Sequence, residues 1–308
     1  MQDWDSNLLQ ELIPHVSLQT FTGGAVPYLS GFLREFWGLD SDKEILLTDS
    51  DYTPVQLLRE VVPGPWVNSA LARQYPGITP SDVDHNGYLD PLFLPADFSG
   101  LIVSSYGGNV PDITQYSSLT EKLVLDLGDI FYAEYQDQVI YNFGLASTVS
   151  FESHRPWGIS GGGALICDRV FAKVCRRLVA TGTIGRPMSE FGACAILATL
   201  TNFESFISTL QELREMFLEK VFEKVGLIDS PVSYCQGKML TSVFAVRFNC
   251  NISPYSFPGI PCYWIGSPKE NFPRAKAVHS CTLGVPLQVL TTEEQVEEIV
   301  STFSAYSA

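Results

Sequence analysis

Apolar positions along this chain recur at two spacings, and the switch between them marks the elements. "YLSGFLREFWGL" (28–39) repeats its apolar residues at helical spacing after the small-residue turn "FTGGA" (21–25). "KEILLTD" (43–49) is a short continuous apolar run, as in a buried strand, and "PVQLLREVV" (54–62) returns to the helical period. Residues 63–95 are rich in Pro, Gly, Asn and Asp and read mainly as loop. "GLIVSSYGG" (100–108) is a predicted strand ending in glycines, "ITQYSSLTE" (113–121) a helix, and "KLVLDLGD" (122–129) another strand. "ASTVSF" (146–151) and "GGALIC" (162–167) are strands flanking the polar turn inside "SFESHRPWGISGGGAL". "RVFAKVCRRLVA" (169–180) is an amphipathic helix, and a long helical region covers 189–224 with a break near Thr201-Asn202. "LTSVFAVRF" (240–248) alternates as a half-exposed strand should. "TEEQVEEIVSTF" (292–303) closes the chain as a helix, with Thr292 as its cap and Glu294 in its first turn.

Strands alternating with helices through the first two thirds imply an α/β fold, with a mostly parallel sheet covered on both faces. The last third implies a smaller α+β domain. The expected division is a large domain at 1–225 and a small one at 226–308. Ligands of such sheets bind beyond the carboxyl ends of strands. Gly23-Gly24, Asp49 to Tyr52, Tyr106-Gly107-Gly108, Asp126 and Ser150 all follow predicted strands or open predicted helices, so one shared site is expected there.

Composition narrows the classes. The 308 residues are 45% apolar and 17% charged, which gives ample material for a core. Nineteen basic against 34 acidic residues leave a formal charge of −15, which argues against nucleic acid or an anionic membrane surface as partner. The N-terminal "MQDWDSNLLQ" has early acids and no apolar run, so no secretory signal or membrane span is expected. Seven widely spaced cysteines without a C-x-x-C pair fit reduced, mostly buried thiols in a cytoplasmic protein, and no metal site is expected.

Several stretches carry chemistry that must be weighed against a plain structural reading. "DVDHNGYLD" (82–90) starts like a calcium loop, but Phe93 stands where the bidentate glutamate is needed, so an Asx-rich turn is the better reading. "FTGGAVPYL" could offer an anion the N–H groups and dipole of a helix start, or could be a plain tight turn. Asp126 and Asp129 in "LVLDLGD" could face a cofactor ring nitrogen or cap a following helix. His154 is the one histidine inside a candidate site. No G-x-S-x-G elbow, G-x-G-x-x-G or phosphate-loop Gly-Lys-Ser/Thr occurs.

Taken in order, these stretches resemble the DegT-type (DegT/StrS) sugar aminotransferases, which depend on pyridoxal phosphate and share the large fold of the aspartate aminotransferase class. The resemblance covers roughly 18–303. It implies an aspartate-aminotransferase-type large domain with a truncated α+β C-terminal small domain. "FTGGAV" resembles the family's phosphate-binding turn, which implies cofactor contacts at Gly23, Gly24 and Ala25. "LLTDSDYTPVQLL" places Tyr52 on the cofactor ring. "LVLDLGDIFYAEYQDQVIYNFGLASTVSF" places Asp126 on the pyridine nitrogen, Asp129 on a usual glutamine and Ser150 on the phosphate. The family builds each site from two subunits, which implies a homodimer, and aromatic-rich "FLREFWGL" and "IFYAEYQDQVIYNF" suit an interface.

The departures are as informative. Counting from Ser150-Phe151, the family's Schiff-base lysine falls on Arg155, with His154 one residue before it. A guanidinium stays protonated and cannot act as the free amine nucleophile. A phosphate-side asparagine of the family falls on Gly185. Three readings stay open. The chain could bind a small anionic ligand, a nucleotide sugar or noncovalent pyridoxal phosphate, without ordinary transamination. It could be a sugar-modifying enzyme, aminotransferase-like or dehydratase-like, using His154 as base in place of lysine. It could be a dimeric scaffold whose pocket is filled by side chains.

Overall fold

The structure, a computed structural model, describes residues 24–158, 161–201, 203–224, 227–235, 237–268, 271–287 and 292–307. In chain order the helices are α1 (Ala25–Phe36), α2 (Thr53–Val61), α3 (Arg169–Ala180), α4 (Glu190–Thr201), α5 (Phe203–Phe222), α6 (Pro273–Ser280) and α7 (Glu293–Ser307). The longer strands are β1 (Lys43–Thr48), β2 (Trp66–Ser69), β3 (Thr79–Ser81), β4 (Gly100–Ser104), β5 (Leu123–Asp126) and β6 (Ile130–Tyr135). They continue with β7 (Gln138–Val139), β8 (Ala146–Ser150), β9 (Gly163–Asp168), β10 (Ile228–Asp229), β11 (Met239–Thr241), β12 (Val243–Phe248), β13 (Tyr263–Trp264) and β14 (Thr282–Pro286).

These elements form two compact units, each joining an early and a late segment: 24–61 with 148–206, and 62–147 with 207–307. The expected boundary at 225/226 divides the chain in sequence order, whereas each compact unit is discontinuous. The chain passes from the second unit to the first within β8.

In the first unit β9 lies between β1 and β8, antiparallel to β1, with Lys43 opposite Asp168 and Thr48 opposite Gly163. Ile45, Leu46 and Leu47 are buried, so β1 is covered on both faces, as its continuous apolar run requires. α1 buries Ala25, Leu29 and Leu33, each four residues after the last, and packs on β1 and α4. Buried Lys43 is neutralised by Asp168 at 2.8 Å.

In the second unit β2, β3, β4 and β5 pair in parallel in the order β5-β4-β2-β3. β2 and β3 lie in the Pro/Gly-rich stretch expected as loop. They are four and three residues long, too short to show a period. The expected helix at 113–121 is a 3-10 helix, Ile113–Lys122. β6 and β7, strands not foreseen, join β11 in a three-stranded antiparallel sheet.

A four-stranded antiparallel sheet, β10-β12-β14-β13, carries the C-terminal α+β part. Here β12 departs from expectation: it is buried on both faces rather than half-exposed. Phe244 stacks on Phe217 of α5, and Phe248 meets Phe303 of α7. On the opposite side Ala245 packs with Tyr106 and Ile265. The terminal helix begins as a reciprocal cap: Gln295 N–H donates to Thr292 Oγ1 and Thr292 N–H to Gln295 Oε1, each at 3.3 Å. Among the described residues no helix is long and apolar enough to cross a membrane. All seven cysteines are free thiols, but only Cys167 and Cys175 are buried, and Cys250 is exposed. Burial pushes the Cys175 thiol up to about 11.

The acids of 82–90 are used within the second unit. Asp82 caps α6 from 192 to 193 residues away, accepting from the N–H groups of Arg274 (3.3 Å) and Ala275 (2.8 Å). Asp84 Oδ1 accepts from Asn86 and Tyr88 N–H, an Asx turn. Asp90 pairs with Arg274 at 3.1 Å. Asp82→Ala should therefore cost about 1–2 kcal/mol of stability, read from the urea midpoint. An unchanged midpoint would show that the cap is not holding α6.

Candidate functional site

Gly24, Ala25, Tyr52, Ser150, His154 and Arg155 belong to the first unit, Asp126 and Asp129 to the second; Gly23 lies outside the described residues. The turn after Ser150 is closed at its neck by Phe151 N–H donating to the Gly162 carbonyl at 2.9 Å. Inside it, Arg155 N–H donates to Glu152 O (2.9 Å) and Gly158 N–H to Arg155 O (3.0 Å). The fully buried Trp157 donates its indole N–H to the Ser150 carbonyl at 2.9 Å. His154 is exposed on this turn and Arg155 half-buried.

The glycine triplet has a packing reason. Gly162 holds φ +119°, and a Cβ on Gly163 would stand 2.8 Å from Asp51 Cα. The backbone at 50–51 therefore lies against the turn, and Asp51, 8% exposed, reaches Ser150. The Ser150 hydroxyl donates to Asp51 Oδ2 at 2.9 Å. Tyr52, next along, is 36% exposed.

α1 starts at Gly24, which has no capping side chain. The N–H groups of Ala25 and Val26 both donate to Glu190 Oε2, at 2.7 and 3.2 Å. Pro27 has no N–H, and Tyr28 N–H closes the first helical bond to the Gly24 carbonyl at 3.0 Å. Glu190, the first residue of α4, thus takes both donors at the start of α1. Gly185 holds φ +60°, and a Cβ there would meet Thr53 Cγ2 at 2.3 Å. The adjacent backbone is fixed by Asp49, whose N–H donates to Arg186 O (3.0 Å) and whose Oδ1 accepts from Arg186 N–H (3.3 Å).

In the second unit Asp126 is half-buried at the end of β5 and accepts from the Tyr75 hydroxyl at 3.1 Å. Asp129 has an internal structural use: its carbonyl accepts from Ser242 N–H and Thr241 Oγ1, each at 3.0 Å, and its Oδ1 from Ser242 Oγ at 3.3 Å. Gly107 and Gly108, candidates for ligand approach, are pressed against the second unit's own strands. A Cβ on Gly107 would meet Ala245 Cβ at 2.4 Å, and one on Gly108 the Val243 carbonyl at 2.3 Å. Burial raises the Tyr106 hydroxyl well above its ordinary range. Among the described residues no group of three or more His, Cys, Asp or Glu could hold a metal ion.

Sequence reasoning missed Tyr75 and Glu190, and it gave Asp51 only as part of the 49–52 stretch, without its role. Pro27, which removes one N–H from the helix start, was a readable signal. Glu190 stands 165 residues from Ala25, and nothing local connects the two.

Solved structures share this fold. The 3-amino-5-hydroxybenzoic acid (AHBA) synthase superposes with a TM-score of 0.81 at 14% identity, over 97% of this chain and 96% of its own. S. venezuelae DesV, in complex with a ketimine intermediate, gives 0.79 at 18% identity over 98% and 95%. A DegT DnrJ EryC1 StrS aminotransferase from Brucella abortus gives 0.78 at 15% identity over 98% and 96%. No family model matches the sequence. The chain therefore has the α/β fold of the pyridoxal-phosphate-dependent aminotransferases. This is the fold that the sequence resemblance implied.

Among the neighbours, a sugar aminotransferase from Streptococcus pneumoniae is known in PLP and PMP forms, so this fold holds pyridoxal phosphate there. In this chain two donors assigned to the phosphate are engaged, the Ala25 N–H by Glu190, which also takes that of Val26, and the Ser150 hydroxyl by Asp51. As arranged, these residues do not fit a phosphate; its entry requires both carboxylates to release donors.

Gly185 is locked by the same packing. Gly185→Asn should cost about 1–3 kcal/mol, read from denaturant midpoints, because its Cβ overlaps Thr53. Thr53→Ala should recover part of that loss, since it removes Cγ2 and Oγ1 and leaves only Cβ, 3.1 Å away. Equal costs in both backgrounds would rule out the overlap as the cause.

Proposed function

We propose that this protein is a sugar-aminotransferase-like pseudoenzyme that binds a small anionic ligand, a nucleotide sugar foremost, without lysine-linked transamination. The observation that carries this reading is Arg155, half-buried in the turn between β8 and β9, in the place where the resembled pattern has its lysine. No lysine occurs anywhere in 150–165. A guanidinium keeps its proton near neutral pH and forms no Schiff base, but it pairs with carboxylate or phosphate in two-point fashion. The neighbours support the ligand class: DesI is known in the presence of its TDP-sugar product. Pyridoxal phosphate, where taken up, is held noncovalently. His154 as base is the weaker alternative, because it is exposed, whereas a general base needs a fixed place within reach of the proton it takes.

A second reading, a scaffold without ligand chemistry, is favoured by Glu190 and Asp51 filling donors that a ligand would otherwise use. Both readings keep a 1–225 large domain, a 226–308 small domain and a homodimer.

Incubation with pyridoxal phosphate, borohydride reduction and intact-mass measurement test the central claim. An unchanged protein mass is expected, and a phosphopyridoxyl adduct on a lysine would overturn it. Titration with a TDP-sugar separates the two readings: saturable binding supports the first, and its absence favours the scaffold. Light scattering should give about twice the 34.0 kDa chain mass. A monomer at micromolar concentration would remove the dimer from either reading.

A further inference from the structure

Three donors in the first unit that could receive a phosphate, the Ala25 and Val26 N–H groups and the Ser150 hydroxyl, are spent on the chain's own carboxylates. At the start of α1 the accounting closes over four consecutive residues. Ala25 and Val26 give their N–H groups to one oxygen of Glu190, Pro27 has none to give, and Tyr28 bonds back to Gly24. The positive end of the helix dipole is met by that same carboxylate, in the role a bound anion would otherwise take. Separately, Ser150 is 3% exposed and its hydroxyl proton is committed to Asp51, itself 8% exposed. A phosphate dianion arriving at either place would find the donors engaged and a negative charge beside them.

We propose that Glu190 and Asp51 are internal anion surrogates. They close the α1 start and Ser150 to phosphate groups, and removing either charge opens its donor to inorganic phosphate. The inference deepens the proposed function and rests on it in taking this side of the turn as the phosphate side. It confines the ligand's anionic group to other donors, the Arg155 guanidinium among them.

The test is inorganic phosphate binding, by isothermal titration and by the 15N–1H shifts of the Ala25 and Val26 amides. The unsubstituted chain is expected to show no saturable binding and no amide shift. Glu190→Ala and Asp51→Ala should each show saturable phosphate binding, at least about tenfold tighter than any seen with the unsubstituted chain, since each removes both the charge and the acceptor beside the donors. Glu190→Gln keeps an oxygen on the same two N–H groups and should gain less than Glu190→Ala. Phosphate that shifts the Ala25 and Val26 amides of the unsubstituted chain would overturn the proposal. So would folded Glu190→Ala and Asp51→Ala proteins that gain nothing. Should neither variant fold, the amide shifts of the unsubstituted chain decide alone. Inorganic phosphate forms no pyridoxyl adduct. Binding to the unsubstituted chain therefore sinks this inference alone, while a lysine adduct sinks the proposed function alone.

Discussion

The backbone of Gly163 lies against that of Asp51, and the turn of the first unit is arranged around that approach. A Cβ at 163 would stand 2.8 Å from Asp51 Cα, so glycine alone permits it. The approach buries the Asp51 carboxylate, and a buried carboxylate without donors is costly. Ser150 supplies the bond, and the Trp157 indole in turn holds the Ser150 carbonyl. Losing the Ser150 hydroxyl would leave Asp51 short of a buried donor, worth roughly 1–3 kcal/mol. That sum is enough to keep a serine at 150 without any ligand.

The second unit obeys the same rule. Gly107 and Gly108 let the end of β4 press on β11 and β12, and Asp82, Asp84 and Asp90 close backbone donors and an arginine nearby. The loop looks like a calcium site because calcium loops and Asx turns use the same carboxylates on the same short spacing. Here backbone N–H groups and one guanidinium take the positions a cation would need.

What could be read from the sequence followed from local pattern. α1, α2, α3 and the strands β1, β4, β5, β8 and β9 all show a period or an apolar run long enough to stand out. β2 and β3 did not, because four and three residues carry no period. β12 was read with the wrong exposure because alternation of Phe and Ala looks like in-out patterning even when α5 and α7 cover one face and Tyr106 and Ile265 the other. The glycines and Ser150 were legible as special positions, but their partners were not. Thr53 fills the space at Gly185, and Glu190 reaches Ala25 across 165 residues, pairings that only the folded chain makes.

Neighbours at 14–18% identity keep this fold because it is held by buried apolar positions and close backbone approaches, which tolerate wide exchange of surface and loop residues. Ligand donors are a separate constraint. A helix start and a strand-end serine retain their structural value whether they hold a cofactor or a carboxylate of the chain itself, since each N–H and hydroxyl must be satisfied either way. Exchanging such a partner would therefore cost the fold little while it would change what the donors can bind. Arg155 bears on the same point: a guanidinium in the turn between β8 and β9 carries a fixed positive charge but offers no nucleophilic amine. Fold and chemistry therefore rest on different residues, which is why fold similarity alone does not carry an activity across.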